Sequence, residues 1–326
     1  MIANEFLLHY QPKVNMRTGS IFGMEALLRW QHPTQGNRPP LSYLPKIEQH
    51  DIIIELGNWI LDSALSQIAK WHQQGNSWVV SVNIASHHLQ HPDFFTVLTQ
   101  TLARHPNAPA HLLELEILET VVLTDVTYVK DLINKCQSLG VHVALDDFGT
   151  GYSSLSYLKN LPTETIKIDQ SFVRDMQTDQ GDLAIIEAII SIGKAFNRKV
   201  LAEGVETDEQ GVILMRLGCD LAQGYGIGRP MPAEQVQVWA NAYQPSELWQ
   251  QWNSQNWSLE DMPLVMAQRD HAQWVQQIER YVCSPNSQQM PEIEYHHHCR
   301  FGQWYYGAGK SYSLLPVEWL HYFVPR

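Results

Sequence analysis

The sequence predicts an α/β barrel, and three observations carry that reading. Short apolar strands alternate with longer amphipathic helices over about 245 residues, the size and order of an eight-stranded β/α barrel. The first two strands are joined by a link too short for a parallel crossover, so the first must run antiparallel to the second. Polar side chains recur near one end of strand after strand, where barrel cores otherwise favour branched apolar residues. A doubly wound open sheet is the competing architecture, and it normally opens with a Gly-rich turn. No GxGxxG motif opens a helix here.

In chain order, Phe6–Val14 and Ser20–Trp30 read as the hairpin strands, linked by Asn15-Met16-Arg17-Thr18-Gly19. A Pro/Gly-rich loop, His32–Pro40, leads to a helix over Asp51–Gln73 with Ile53, Ile60, Ala64, Ile68 and Trp71 as its apolar stripe. Six strands follow, near Trp78–Ile84, Leu112–Ile117, Val141–Asp146, Thr165–Ile168, Lys199–Glu203 and Ala222–Tyr225. The helices between and after them are expected near Asp93–Arg104, Asp125–Leu139, Ser153–Lys159, Asp182–Phe196, Thr207–Leu217 and Ala233–Tyr243. The barrel is thus placed at residues 1–243. Gln, Asn, Ser and Trp dominate the next stretch, a linker or partly packed connector over 244–258. Residues 259–326 form a small, mainly helical module whose last part is rich in His and aromatics.

Composition narrows the function. A net charge of −12 argues against a nonspecific DNA or RNA binder, although metal ions could still mediate contact with an anionic ligand. No apolar run approaches the roughly 20 residues that span a bilayer, and the N-terminus lacks the features of a signal peptide. Cys136, Cys219, Cys283 and Cys299 contain no CxxC pair, which speaks against a disulfide framework. The expectation is a soluble, cytoplasmic protein.

The polar strand-end residues are Glu25, Asn83, Glu116, Asp146 with Asp147, Lys167, Glu203 and Gln223. A single Glu in a strand is more often solvated than chemical. Recurrence on seven strands argues against independent accident. Glu, Asp and Asn without His or Cys suit hard cations such as Mg²⁺ or Mn²⁺. Adjacent carboxylates such as Asp146 and Asp147 can bridge two ions, an arrangement that splits phosphodiesters. Successive residues of a regular strand face opposite sides, so these two can share a site only where the strand is ending. Lys167 could hold a nucleophilic water or offset phosphate charge.

These residues resemble EAL domains, the phosphodiesterases of cyclic di-GMP. The resemblance covers about residues 5–240. It rests on Tyr10-Gln11-Pro12, Glu25-Ala26-Leu27-Leu28-Arg29-Trp30, the Asp146–Leu155 loop, Lys167-Ile168-Asp169, Ala202-Glu203-Gly204-Val205-Glu206-Thr207 and Gln223-Gly224-Tyr225. It implies a modified TIM barrel with an antiparallel first strand, and hydrolysis of cyclic di-GMP to linear 5′-pGpG. It further implies that Glu25, Asn83, Glu116 and Asp146 hold one ion, and that Asp146, Asp147 and Glu203 hold a second. Lys167 is implied to contact the attacking water, as base or positioner. Gln11, Arg29 and Gln223 match ligand-contacting positions. Glu119 matches the acid that braces the Gly149-Thr150 loop, and Asp169 the one that orients the lysine. Glu206 is either a supporting acid or a solvated one at a helix start.

Two departures from the family pattern, Leu118 and Gln170, touch no implied ligand. The family uses the loop after Asp147 to link dimerisation to metal binding, so a homodimer is expected. A catalytically silent cyclic di-GMP receptor is the alternative, but such members usually lose the signature Glu, a paired acid or the loop, and this chain keeps all three.

In the last module, Asp270-His271-Ala272-Gln273-Trp274 sets His271 and Trp274 on one helical face. With Cys299-Arg300-Phe301-Gly302-Gln303-Trp304 it resembles a CZB-type zinc-binding module. That resemblance implies His271 and Cys299 as Zn²⁺ ligands, with His296–His298 or His321 in reach of completing the set. The family's final HxxxH helix is absent or divergent here. The other reading of these residues is a helical extension with a surface His cluster. The chain begins just before the barrel and ends abruptly, as a piece of a longer regulator with upstream sensory or GGDEF-type domains would.

Overall fold

The computed structural model describes residues 5–122, 125–150 and 158–254. Strands β1 (Phe6–Asn15) and β2 (Ser20–His32) form the expected antiparallel hairpin, registered from Phe6–Trp30 to Asn15–Ser20. The ladder continues through β4 (Val79–Asn83), β5 (Leu113–Leu118), β6 (His142–Phe148), β7 (Thr165–Ile168), β8 (Lys199–Ala202) and β9 (Leu221–Gln223). From β2 to β9 every neighbouring pair is parallel. β1 closes the ring, antiparallel to both β2 and β9. Closure leaves the eight-stranded ring no free edge.

Helix starts follow local chemistry. Asp125 accepts the Tyr128 N–H at 2.9 Å, and Thr207 with Gln210 forms a capping box. The helix Ile52–Gln73 buries Ile53, Ala64, Ile68 and Trp71 as expected. Its buried face is wider than that stripe: Leu56, Leu61 and Leu65 are buried as well, while Ile60 lies at the margin.

Most boundaries differ from expectation by one to three residues. The shift at β6 has the most consequence, because the strand runs on past Asp146 to Phe148 and so contains both aspartates. The Pro/Gly-rich loop carries a three-residue strand, β3 (Gly36–Arg38), paired with β2, and β10 (Met231–Pro232) pairs with β1. Elements this short carry no readable periodicity. The same holds for the helical turns Leu44–Ile47, Ser86–Leu89, Glu119–Val122 and Gln170–Asp175.

Of the two readings of this stretch, linker or partly packed connector, the structure shows the second over the helix Glu247–Ser254. Trp249 and Trp252 are buried, and the Trp249 indole N–H donates to the Asp208 carbonyl at 2.9 Å. Gly211 makes room for it, since a Cβ there would meet the indole at 2.4 Å. The Arg216 guanidinium lies 5.4 Å from the Trp252 ring centre. Two tryptophans at helical spacing were the signal for this packing.

The chain divides into two units, Met1–Asn253 and Ser254–Arg326. The expected helix over Ser153–Lys159 falls almost wholly outside the described residues, as do His271, Cys299 and the rest of the C-terminal module. Among the described residues, no helix is long and apolar enough to cross a membrane.

Candidate metal centre

The barrel interior is layered two residues at a time, as the strand period requires. Gln11 and Lys13 on β1, Ser81 and Asn83 on β4, Glu114 and Glu116 on β5, and Thr165 and Lys167 on β7 each supply one member to a lower and one to an upper layer. Side-chain contacts between strands that are not neighbours show that these residues cross the interior.

Lys167 is the hub of the upper layer and is almost fully buried. Its Nζ lies 2.7 Å from Glu116 Oε2, 2.7 Å from Glu203 Oε1, 3.0 Å from Asp146 Oδ1 and 3.8 Å from Glu25 Oε2. Burial alone would discharge the lysine. The carboxylates of Asp146, Glu116, Glu203 and Glu25 reverse that and hold its pKa well above the ordinary value.

One ammonium cannot satisfy all of these acids. Burial opposes ionisation of Glu25, but Lys167, hydrogen bonds from Gln223 and Asn83, and Lys13 hold its pKa below the ordinary value. Burial pushes Glu116 well above that value, reinforced by Glu25 and Asp146 against the pull of Lys167. Glu203 rises to about 8, chiefly by burial, with Asp146 and Glu25 adding to it. Glu116 Oε1 and Gln223 Oε1 are buried without a hydrogen-bond partner. An acid surplus with idle oxygens is the electrostatic signature of a cation site.

Asp146 and Asp147 do share a site, by a route other than strand ending. The β6–β7 register shifts between Leu145 and Phe148, and Asp147 takes a left-handed φ of 52°. A bulge of this kind re-aims a side chain without ending the strand, and Asp tolerates positive φ better than most residues. Asp146, Asp147 and Glu203 each offer an oxygen within 4.8 Å of the others. Burial, with Asp146 and Asp169 nearby, raises Asp147 to about 6.

The loop beyond is tied down. The Gly149 N–H donates to Glu119 Oε2 at 3.0 Å, and Thr150 Oγ1 donates to the Asp147 carbonyl at 2.8 Å. Gly149 has φ +98°, and a Cβ there would come within 3.1 Å of the Phe172 ring.

The other expected residues divide. Asn83 donates to Glu25 Oε1 at 2.6 Å, Gln223 donates to Glu25 Oε2, and Gln223 also donates to Gln11 Oε1 at 3.1 Å. Gln11, Asn83 and Gln223 are thereby gathered around Glu25. Arg29 is half-buried on β2, its Nη1 donating to the Leu28 carbonyl at 2.8 Å. Asp169 caps the helix Gln170–Asp175 through the Ser171 N–H and lies close enough to Asp147 to raise its pKa. Glu206 is exposed at its helix start, where its backbone N–H donates to Gln210 Oε1 at 2.8 Å.

The lower layer went unrecognised in the sequence. Lys13 is fully buried and meets Glu114 Oε1 at 2.9 Å and Ser81 Oγ. Thr165 Oγ1 donates to Glu114 Oε2 at 3.1 Å. The available signal was spacing, because Gln11/Lys13 and Glu114/Glu116 are i, i+2 pairs.

The donor set is all oxygen and carries surplus negative charge, so it fits hard divalent cations. The EAL domain family matches residues 1–230, and the chemoreceptor zinc-binding domain family matches residues 271–321. The chain is 42% identical over 233 residues to the bifunctional diguanylate cyclase/cyclic di-GMP phosphodiesterase MucR of Pseudomonas aeruginosa, covering 71% of this chain and 34% of that protein. It is 36% identical over 240 residues to the cyclic di-GMP phosphodiesterase PdeR of Escherichia coli, covering 74% and 36% respectively. The chain thus spans about a third of the length of these curated relatives.

Among solved structures, the MucR phosphodiesterase in complex with c-di-GMP superposes with a TM-score of 0.69 at 40% identity, covering 72% of this chain and 94% of that one. The EAL domain of Mycobacterium smegmatis DcpA gives 0.63 at 34% identity, covering 73% and 99%. Matched by one family over residues 1–230 and by solved members across the same barrel, this chain belongs to the EAL domain family.

Proposed function

We propose that this chain hydrolyses cyclic di-GMP to linear 5′-pGpG with the help of two divalent ions, Mg²⁺ or Mn²⁺. The observation that carries the reading is the surplus of buried carboxylates around Lys167. Glu25, Asn83, Glu116 and Asp146 would hold one ion, and Asp146, Asp147 and Glu203 the other. Ions bound there supply Lewis acidity and make water a nucleophile at neutral pH. Asp146 is suited to bridging, since it touches Lys167 and also belongs to the cluster with Asp147 and Glu203.

Lys167 would contact the attacking water, as base or positioner. In the metal-free site the neighbouring carboxylates favour its ammonium form, and two bound cations would offset that field. Arg29 stands on the same strand as Glu25 and is suited to a phosphate oxygen, with Gln11 and Gln223 as further ligand contacts. Glu119 and Thr150 hold the loop that orients Asp147.

Substituting Glu25→Ala or Asp147→Ala should abolish pGpG formation. Undiminished product from either variant would sink the mechanism. The c-di-GMP complex of the MucR relative and the names of MucR and PdeR support the substrate. A zinc site at His271 and Cys299 rests on the family match over 271–321. Elemental analysis of untagged protein tests it, and absence of stoichiometric zinc would end it.

A further inference from the structure

Lys13 occupies an unusual place. It is fully buried in the barrel interior, where apolar side chains fill space at far less desolvation cost. Glu114 pins it at 2.9 Å, and Ser81 accepts from it while donating to Glu114 at 2.6 Å. Both oxygens of Glu114 are thereby engaged, one by Lys13 and Ser81 and the other by Thr165. The lysine is thus held by Glu114 and Ser81, and Thr165 holds Glu114 in turn.

What that lock achieves is visible one layer up. Lys13 Nζ lies 3.9 Å from Glu116 Oε1, while Lys167 Nζ holds Glu116 Oε2 at 2.7 Å. Glu116 is therefore bracketed by two ammonium groups, one per oxygen. Oε1, the oxygen toward Lys13, is the one without a hydrogen-bond partner. It is free to bind an ion while the charge below limits where it can point.

We infer that Lys13, fixed by Glu114 and Ser81, is a positioning residue that sets the Glu116 carboxylate for metal binding. The inference rests on the metal-dependent reading of the site above. Lys13 acts on Glu116 through its charge at 3.9 Å, and groups that orient a metal ligand from behind typically change affinity about 10- to 100-fold when removed.

The test is Mn²⁺ titration of the metal-free protein, with free Mn²⁺ read by electron paramagnetic resonance. The paired substitution Lys13→Met with Glu114→Gln keeps the net charge of the layer, and the new amide can accept from one of the Ser81 and Thr165 hydroxyls and donate to the other. It should weaken Mn²⁺ binding about tenfold or more. Half-saturation of activity by Mn²⁺ should shift in parallel, while KM for cyclic di-GMP at saturating Mn²⁺ stays put. Ser81→Ala, which loosens the lysine without moving a charge, should give a smaller shift in the same direction.

A folded paired variant with Mn²⁺ affinity within about twofold of wild type would overturn the inference and leave Lys13 as barrel filling. Should the paired variant fail to fold, Ser81→Ala decides: wild-type Mn²⁺ affinity there overturns the inference. If wild-type protein itself binds no Mn²⁺, the metal-dependent reading of the site is what fails.

Discussion

In the lower layer of the barrel interior one lysine meets one clamped carboxylate, and in the upper layer one lysine meets four. Lys13 and Glu114 neutralise each other, with Ser81 and Thr165 completing their hydrogen bonds. Lys13 outweighs the burial that opposes ionisation of Glu114 and, with those hydroxyls, holds it down at about 2. In the upper layer burial and mutual repulsion push Glu116 and Glu203 up, and two buried oxygens stay idle. The residue types are nearly the same in both layers. Balance separates a closed structural pair from a site that lacks positive charge.

The most forceful way to break this contrast is Lys167→Met. Removing the cation from a buried cluster costs roughly 3–5 kcal/mol, so the metal-free variant should unfold at much lower denaturant than wild type. Mn²⁺ should recover part of the loss if cations are what the upper layer lacks. Denaturant titrations in EDTA and in Mn²⁺ read both effects, and a variant as stable as wild type in EDTA would contradict the charge argument.

Asp147→Asn sharpens the comparison in the opposite direction. A carboxyl raised to about 6 in the fold stabilises the metal-free protein only while protonated. That contribution is complete below the unfolded value near 4 and is lost as pH rises through about 6. At neutral pH the charge is a burden. The shift corresponds to almost 3 kcal/mol, which solvent at this half-exposed group cuts to about 1 kcal/mol. Asn keeps the shape and tolerates the left-handed φ, so the metal-free variant should gain that much stability while losing turnover. For wild type the same proton competes with the ion, so Mn²⁺ affinity should fall as pH drops through 6. Calorimetry in EDTA and Mn²⁺ titration at pH 5 and 7 check the two halves.

The loop gives smaller effects. Gly149→Ala forces a strained φ beside Phe172 and should cost about 1–2 kcal/mol, weakening metal binding without removing a ligand. Thr150→Val loses the bond to the Asp147 carbonyl, worth about 1 kcal/mol, and should shift Mn²⁺ half-saturation only a few-fold. If either leaves Mn²⁺ binding unchanged, the loop does not orient Asp147.

Much of this was legible in the chain itself. The hairpin link and the strand–helix alternation announced a barrel with an antiparallel first strand, because link length and period are local properties. The acids around Lys167 were legible because polar residues in buried strands stand out. The bulge at Asp147 was not, since a left-handed residue inside a strand is imposed by tertiary contacts rather than by composition. Lys13 was missed because a lone lysine near a hairpin end reads as solvated. Only the register that sets it opposite Gln223 turns it inward. The docked helix Glu247–Ser254 was hidden by polar residues around its two buried tryptophans.

The most direct measurement is incubation of the purified protein with cyclic di-GMP in Mg²⁺, in Mn²⁺ and in EDTA, with the nucleotides separated by chromatography. The account expects linear 5′-pGpG with at least one ion and none in EDTA. Binding of cyclic di-GMP without hydrolysis in either ion, or equal product in EDTA, would contradict it.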